Sequence, residues 1–411
     1  MNIYLFIILF SIAGACVLGI IARRLNIQAL SPVLPQEFNG IFDPEEYRKS
    51  QDYTKAGTGL ENISSSFMTL VTIFFILCGG FNILDLWAGS FGYGPIVTGL
   101  IFFAGLAVLS DLVSLPFSLY STFVIEEKFG FNKTNLKTFI LDKLKGYILG
   151  GIIGGVILSG VLLFFNATGS LAWLWCWIFT IVITLAIQYI APTWILPLFN
   201  KFTPIENGEL KDKIENFAKA NGFKISGIFM IDGSKRSTKA NAYFTGFGNK
   251  KRIALFDTLV ESLSTDEIVA VLAHEIGHCK LGHIRKMLLI SIANTGIVFL
   301  LMSFFLNNRE LFSAFSMDHI SVHAGLIFFA LLYTPVSIVL SIFSNIQSRR
   351  HEYEADNFAA ATTKEPLSLV SALKKLSVSN LSNLTPHPFY VWLEYSHPPV
   401  LKRIENLQNQ K

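Results

Sequence analysis

Charged residues are scarce in this chain: Asp, Glu, Lys and Arg make up 15% of its 411 residues, against about a quarter in soluble domains. With 52% of residues hydrophobic, that shortage excludes an ordinary soluble globule and implies a mostly α, multi-span membrane protein. The excess of basic residues is small, a formal +4, and Lys and Arg gather in particular loops. Such clustering speaks of membrane topology, so no nucleic-acid partner is expected. Cysteine is nearly absent as well. Cys16, Cys78 and Cys176 sit in apolar segments, Cys279 follows His278, and no CxxC occurs, which excludes a disulfide framework and a thiolate metal site. Basic residues are also missing ahead of the first apolar run, so residues 3–22, followed by Arg23 and Arg24, read as a retained span and not as a cleaved signal.

Further apolar runs cover about 64–87, 96–122, 147–165, 171–195, 287–306 and 322–346, which predicts seven spans. Residues 25–62 read as a polar loop with a short amphipathic helix lying against the membrane. Alternate loops are poor in Lys and Arg (SFGYGP, NATGS, and only Arg309 before the last span), so the N-terminus is expected outside and the C-terminus in the cytoplasm. The organisation follows: spans 1–5 over 1–196, a cytoplasmic α+β segment over 197–286, spans 6 and 7 over 287–346, and a cytoplasmic end over 347–411. Asp85 is expected near a span end, as an interfacial residue. Asp111 falls inside the third run, where it either lines a polar cavity or is satisfied by a neighbouring helix.

What the chain does have is VLAHEIGHCKLGH at 271–283. His274 and His278, four apart on a helix, present both imidazoles on one face, and Glu275 lies beside them where it can take a proton from water. This is the HExxH pattern of zinc hydrolases. Ser264 with Glu267 forms a capping box, and Ile268, Leu272 and Ala273 keep an apolar helical period, so the helix is predicted independently of any metal. Before it, ENGELKDKIENFAKANGF reads as an amphipathic helix ending at Gly222, ISGIFMID as a strand, and KKRIALFDTL as a second strand after a GFGNKK turn. A strand edge beside the zinc helix would let an extended peptide add by backbone pairing.

A catalytic zinc keeps three protein ligands and an open position. The longer HExxHxxGxxH pattern is absent, with Leu281 and Ile284 where its glycine and third histidine would stand. His283, nine residues after His274, would point to the opposite side of one continuous helix and reads as interfacial. QSRRHEYEADNFAA, after the last span, reads as a helix with Glu352 and Asp356 on one face and Glu354 turned away. Glu352 as third ligand, with Asp356 accepting the outer N–H of a ligating histidine, fits zinc sites; alone, such a run would be an ordinary solvated acidic face.

HEIGHCKLGH, EYEAD, NAYFTGF and SHPPVLKRI, with EEKFGFNKT, PLFNKFTP and the QDYT stretch, together resemble the type I CAAX prenyl proteases, integral-membrane zinc endopeptidases. The resemblance covers nearly the whole chain. It implies seven helices forming an α-barrel around a water-filled chamber, one zinc per chain on His274, His278 and Glu352, and Glu275 as general base and later proton donor. It further implies that Asn241 and Ala242 hold substrate backbone, and that His397 and Arg403 meet the developing oxyanion or the substrate's C-terminal carboxylate. The other reading of His397 is a His-Pro-Pro turn without catalytic duty. Expected partners are membrane lipid and a peptide or protein substrate, prenylated or not, with the chain acting as a monomer. Lacking a long polar or dilysine-like tail, the sequence looks more like a bacterial inner-membrane member than one of the endoplasmic reticulum. Two alternatives stand beside this function: a quality-control metalloprotease for unmodified misfolded membrane proteins, and a non-enzymatic chamber with structural zinc.

Overall fold

A computed structural model describes residues 2–245 and 252–409. The first helix, α1 (Ile3–Gln28), starts at Asn2, whose side chain accepts from the Tyr4 and Leu5 amides. Then follow α2 (Pro44–Leu77), α3 (Gly80–Gly89), α4 (Pro95–Tyr120), α5 (Leu136–Ala167) and α6 (Ala172–Ile190). A small unit comes next: β1 (Phe202–Pro204), α7 (Glu209–Ala220), β2 (Gly227–Ile231), β3 (Ala242–Thr245), β4 (Arg252–Phe256), α8 (Asp257–Ser262) and α9 (Thr265–Lys280). The chain returns to long helices with α10 (His283–Phe305), then α11 (Arg309–Ser313), α12 (Val322–Leu332) and α13 (Thr334–Thr363). It closes with α14 (Pro366–Ser379), α15 (Pro388–Glu394) and α16 (Val400–Gln408).

Six of these helices are long and apolar enough to cross a membrane, and the pair α12 and α13, bent by 58° at its break, passes the same test when counted together as one broken span. Large apolar side chains stand out from them, Phe10 at 70% and Phe343 at 65% exposure, as a lipid-facing surface requires and an aqueous one would not tolerate in this number. Polar groups collect at the two ends. At one end Asn2 donates to the Glu310 carbonyl (2.6 Å) and to Ser313 Oγ (2.9 Å), above a core of Phe81, Phe102, Phe312, Phe315 and Phe328. At the other end Phe38, Phe42, Phe129 and Phe131 pack against Ala273 of α9 and Ile404 of α16, joining membrane helices to the zinc-motif helix.

Three expectations change here. Residues 25–62 are not a loop with a short surface helix: α2 runs unbroken from Pro44 into the membrane, started by the Asp43 cap, Pro44 and two glutamates in its first turn. Polar composition, with Gly57 and Gly59, hid a helix that runs on until Gly79, whose φ of 66° ends it and splits the expected 64–87 span into α2 and α3. Asp85 is not merely interfacial. It is buried and accepts from His323 (2.6 Å), His319 (2.7 Å) and Ser321 (3.1 Å), tying α3 to the start of α12. As for Asp111, a neighbouring helix satisfies it, through Lys143 and Tyr147 of α5.

In the small unit the strands lie in the order β1-β2-β4-β3; β2 and β4 run parallel and the two edge strands antiparallel. Sequence periodicity missed β1 and β3, which are three and four residues long. Helix α7 ends where Gly222 takes φ +59°, as its position predicts. The expected GFGNKK turn lies outside the described residues. Leu272 and Ile268 of α9 pack with Ile253 and Leu255 of β4, so the sheet is the platform for the zinc-motif helix.

Candidate metal centre

The capping box of α9 is present: Glu267 N donates to Ser264 Oγ (3.4 Å), and Ser264 N donates to Glu267 Oε2 (2.7 Å). Glu267 also accepts from Ser371 (2.6 Å) and Lys375 (2.8 Å), so the cap anchors α14 as well. Downstream, α9 crosses α13 closely at Gly277. A Cβ there would lie 3.2 Å from the Ala355 Cα and 3.3 Å from its carbonyl oxygen, and Ala355 is fully buried. Glycine lets the helices come this close without any neighbour having to give way, and the approach lays Glu352 over the two histidines. Replacing Gly277 with valine should push the helices apart, costing about 1–3 kcal/mol, and weaken metal binding in step; thermal denaturation and metal titration check both.

His274, His278 and Glu352 offer ligand atoms that converge. The two Nε2 atoms are 3.1 Å apart, His278 Nε2 is 3.3 Å from Glu352 Oε1, and His274 Nε2 is 3.5 Å from Oε2. Tetrahedral zinc with bonds near 2.1 Å separates its ligands by about 3.4 Å. Glu352 Oε2 is buried and accepts no hydrogen bond, with the longer ion-pair contact to Arg403 beside it, so it keeps a lone pair for a metal ion. These residues therefore fit a metal ion. Asp356, fully buried, accepts the His274 Nδ1 proton at 2.8 Å and takes Arg403 bidentately at 2.8 and 2.6 Å. Arg403 Nη1 also lies 3.3 Å from Glu352 Oε2, so the guanidinium is engaged by both carboxylates.

Burial opposes charge on His274, yet the Asp356 and Glu352 carboxylates outweigh it and push its metal-free pKa up to about 9. A metal ion must displace that proton, and the competition ends only above the raised pKa. Apparent metal affinity should therefore rise about tenfold per pH unit between roughly pH 6.5 and 9; chelator competition at three pH values measures the slope.

A cleft of about 560 Å³ opens on this centre, lined by Asn241, Ala242, Glu275, Glu352, His397 and Arg403 among others. The expected site residues are thus brought together. β3 is the edge of its sheet on the cleft side, and the Asn380 side chain holds Ala240 N at 3.2 Å just before it. His397 is exposed, with Nε2 3.4 Å from Glu352 Oε1. The QDYT and EEKFGF stretches meet here too. Tyr53 and Glu126 bind the Lys239 ammonium at 2.7 and 2.9 Å, fixing the strand's approach to the membrane helices.

One expectation fails. His283 is not interfacial but 2% exposed, with Nδ1 3.1 Å from His278 Nδ1. The nine-residue spacing assumed one continuous helix, whereas α9 ends at Lys280 and Gly282, at φ +72°, starts α10 in a new direction. Leu281-Gly282 was the available signal, a glycine just past a helix end. Glu354 is indeed turned away from the ligand set, and it faces His283.

Residues 23–201 match the family described as "CAAX prenyl protease N-terminal, five membrane helices", and residues 204–411 match peptidase family M48. The mouse CAAX prenyl protease 1 homolog is 35% identical over 95% of this chain and 91% of its own length. CAAX prenyl protease 1 of Saccharomyces cerevisiae is 36% identical over 94% and 90%. The crystal structure of S. mikatae Ste24p superposes with a TM-score of 0.94 at 35% identity, covering 99% of both chains. A metal-shaped centre on an HExxH helix, held at the end of a multi-span bundle, and matches of this breadth lead to one assignment: the chain belongs to the CAAX prenyl protease family of M48 peptidases, integral-membrane zinc metalloendopeptidases.

Proposed function

We propose that the chain holds one zinc ion on His274, His278 and Glu352 and cleaves peptide bonds near the C-terminus of prenylated or membrane-associated peptides. The observation that carries this is the convergence of three ligand atoms from α9 and α13 beneath a cleft bordered by the β3 edge. Zinc held there supplies a Lewis acid that polarises the scissile carbonyl and acidifies a water. Glu275, one residue after His274 on the cleft wall, takes the water's proton and returns it to the leaving amine. The substrate backbone pairs with β3 at Asn241 and Ala242. His397, exposed on the cleft, is the donor best placed for the oxyanion. Arg403 reaches the cleft with most of its donors already given to Asp356 and Glu352.

Loop charge supports a cytoplasmic site, in an endoplasmic-reticulum or bacterial inner membrane, with the chain acting as a monomer among lipids. The enclosing barrel belongs to the same reading. Paired farnesylated and plain peptides, assayed with and without chelator, test it. The farnesylated one should be cut at least about tenfold faster, since burying a single isoprene unit is worth more than 1.4 kcal/mol. Equal rates would instead favour the quality-control reading, for which backbone pairing at a sheet edge is the supporting feature.

A further inference from the structure

The two motif histidines are held differently from behind. His274 turns its Nδ1 to a carboxylate, Asp356. His278 turns its Nδ1 to another imidazole, with His283 Nδ1 3.1 Å away. His283 Nε2 lies 2.9 Å from Glu354 Oε2, and the other Glu354 oxygen accepts from Arg350 Nε at 3.0 Å. Behind His283 stacks His351, ring centroids 4.0 Å apart and planes within 8°, its Nε2 2.8 Å from Gln347 Nε2.

With His283 neutral, proton accounting along this row has one solution. The Glu354 carboxylate only accepts, so the hydrogen in that contact sits on His283 Nε2. A neutral imidazole carries one N–H, which makes His283 Nδ1 a bare acceptor. The hydrogen between the two Nδ1 atoms therefore belongs to His278, and its Nε2, facing His274 and Glu352, is a free lone pair. The opposite tautomer would set two lone pairs against each other at 3.1 Å and put a proton where the metal belongs. Burial of His283, at 2% exposure, and its stack on a second imidazole both disfavour charging it.

We propose that His283 and Glu354 are positioning residues that lock His278 in its Nδ1–H form and aim its Nε2 at the metal, as Asp356 does for His274. This rests on the assignment of His278 as a ligand. A neutral imidazole in that place also keeps a further carboxylate one residue removed from a centre already bordered by Glu275, Glu352 and Asp356, which preserves the metal's Lewis acidity. The same three side chains, His283, His351 and Glu354, have ligand atoms within 4.8 Å of one another and invite a second reading as a metal site. Parallel stacking argues against it, because two imidazoles within 8° of parallel cannot aim in-plane lone pairs at one ion.

The test is zinc affinity by chelator competition, with cobalt(II) absorption spectra, on the full chain in detergent. His283→Phe keeps a stacking ring and removes the acceptor; His283→Asn discards the ring and keeps an acceptor near the Nδ1 place. The expected result is a loss of about 10- to 100-fold in zinc affinity and a shifted cobalt band for His283→Phe, with His283→Asn within a few-fold of wild type. A packing role would reverse that order, and equal behaviour of His283→Phe and wild type would likewise overturn the proposal. Two zinc ions per wild-type chain falling to one in His351→Ala would replace it with the second metal site. His278→Ala reports separately: undiminished zinc binding there would remove the ligand assignment itself.

Discussion

Replacing Glu275 with glutamine should lower peptide hydrolysis by roughly 10²- to 10⁴-fold, the usual contribution of a positioned general base, while leaving metal binding intact. The side chain keeps its shape and loses only its capacity to accept a proton. Glu275 stands outside the converging ligand set, which consists of His274, His278 and Glu352, so nothing that grips the ion is removed. Its place on α9 is set by the capping box and by the Gly277 crossing, neither of which the substitution touches. Turnover and metal content of the same preparation decide the matter. Normal turnover with bound metal would take Glu275 out of its role.

Glu352→Gln should have the second large effect, a loss of metal affinity beyond the roughly 10–100-fold that outer partners of a ligand are worth. An amide oxygen is a poor ligand for zinc beside two imidazoles, and the site would have only neutral donors. The fold should survive, because Arg403 retains its bidentate partner in Asp356. Asp356→Asn gives the contrasting pattern. Metal affinity falls less, but the buried Arg403 is left short of a counter-charge, a situation that costs about 3–5 kcal/mol when one partner of a buried pair is removed. Metal content and thermal denaturation measured together separate the two; unchanged metal content in Glu352→Gln would mean that another residue completes the site.

The site was legible where local spacing decides geometry. Four-residue separations placed His274 with His278 and Glu352 with Asp356, and Ser264 with Glu267 announced the helix start, because within one helix periodicity is geometry. It was illegible where two helices meet. That Arg403 would clamp Asp356, that Lys239 would join Tyr53 and Glu126, and that His283 would back His278 depend on crossings and turns that no single helical period encodes. The same limit governed the membrane helices. Apolar length found the spans, whereas the polar first half of α2 and the buried Asp85 cluster, both fixed by tertiary contacts, escaped it.

α13 is at once half of a bent span and the bearer of Glu352 and Asp356. From its start at Thr334 to Glu352 it is a rod of about 27 Å at 1.5 Å per residue. A rocking of one degree about that bend swings the carboxylate by roughly half an ångström. The histidines ride on a different helix, joined to α10 through Gly282. The close crossing at Gly277 is therefore what keeps the two halves of the ligand set in register, because it ties the histidine helix to the membrane helix that carries the carboxylate.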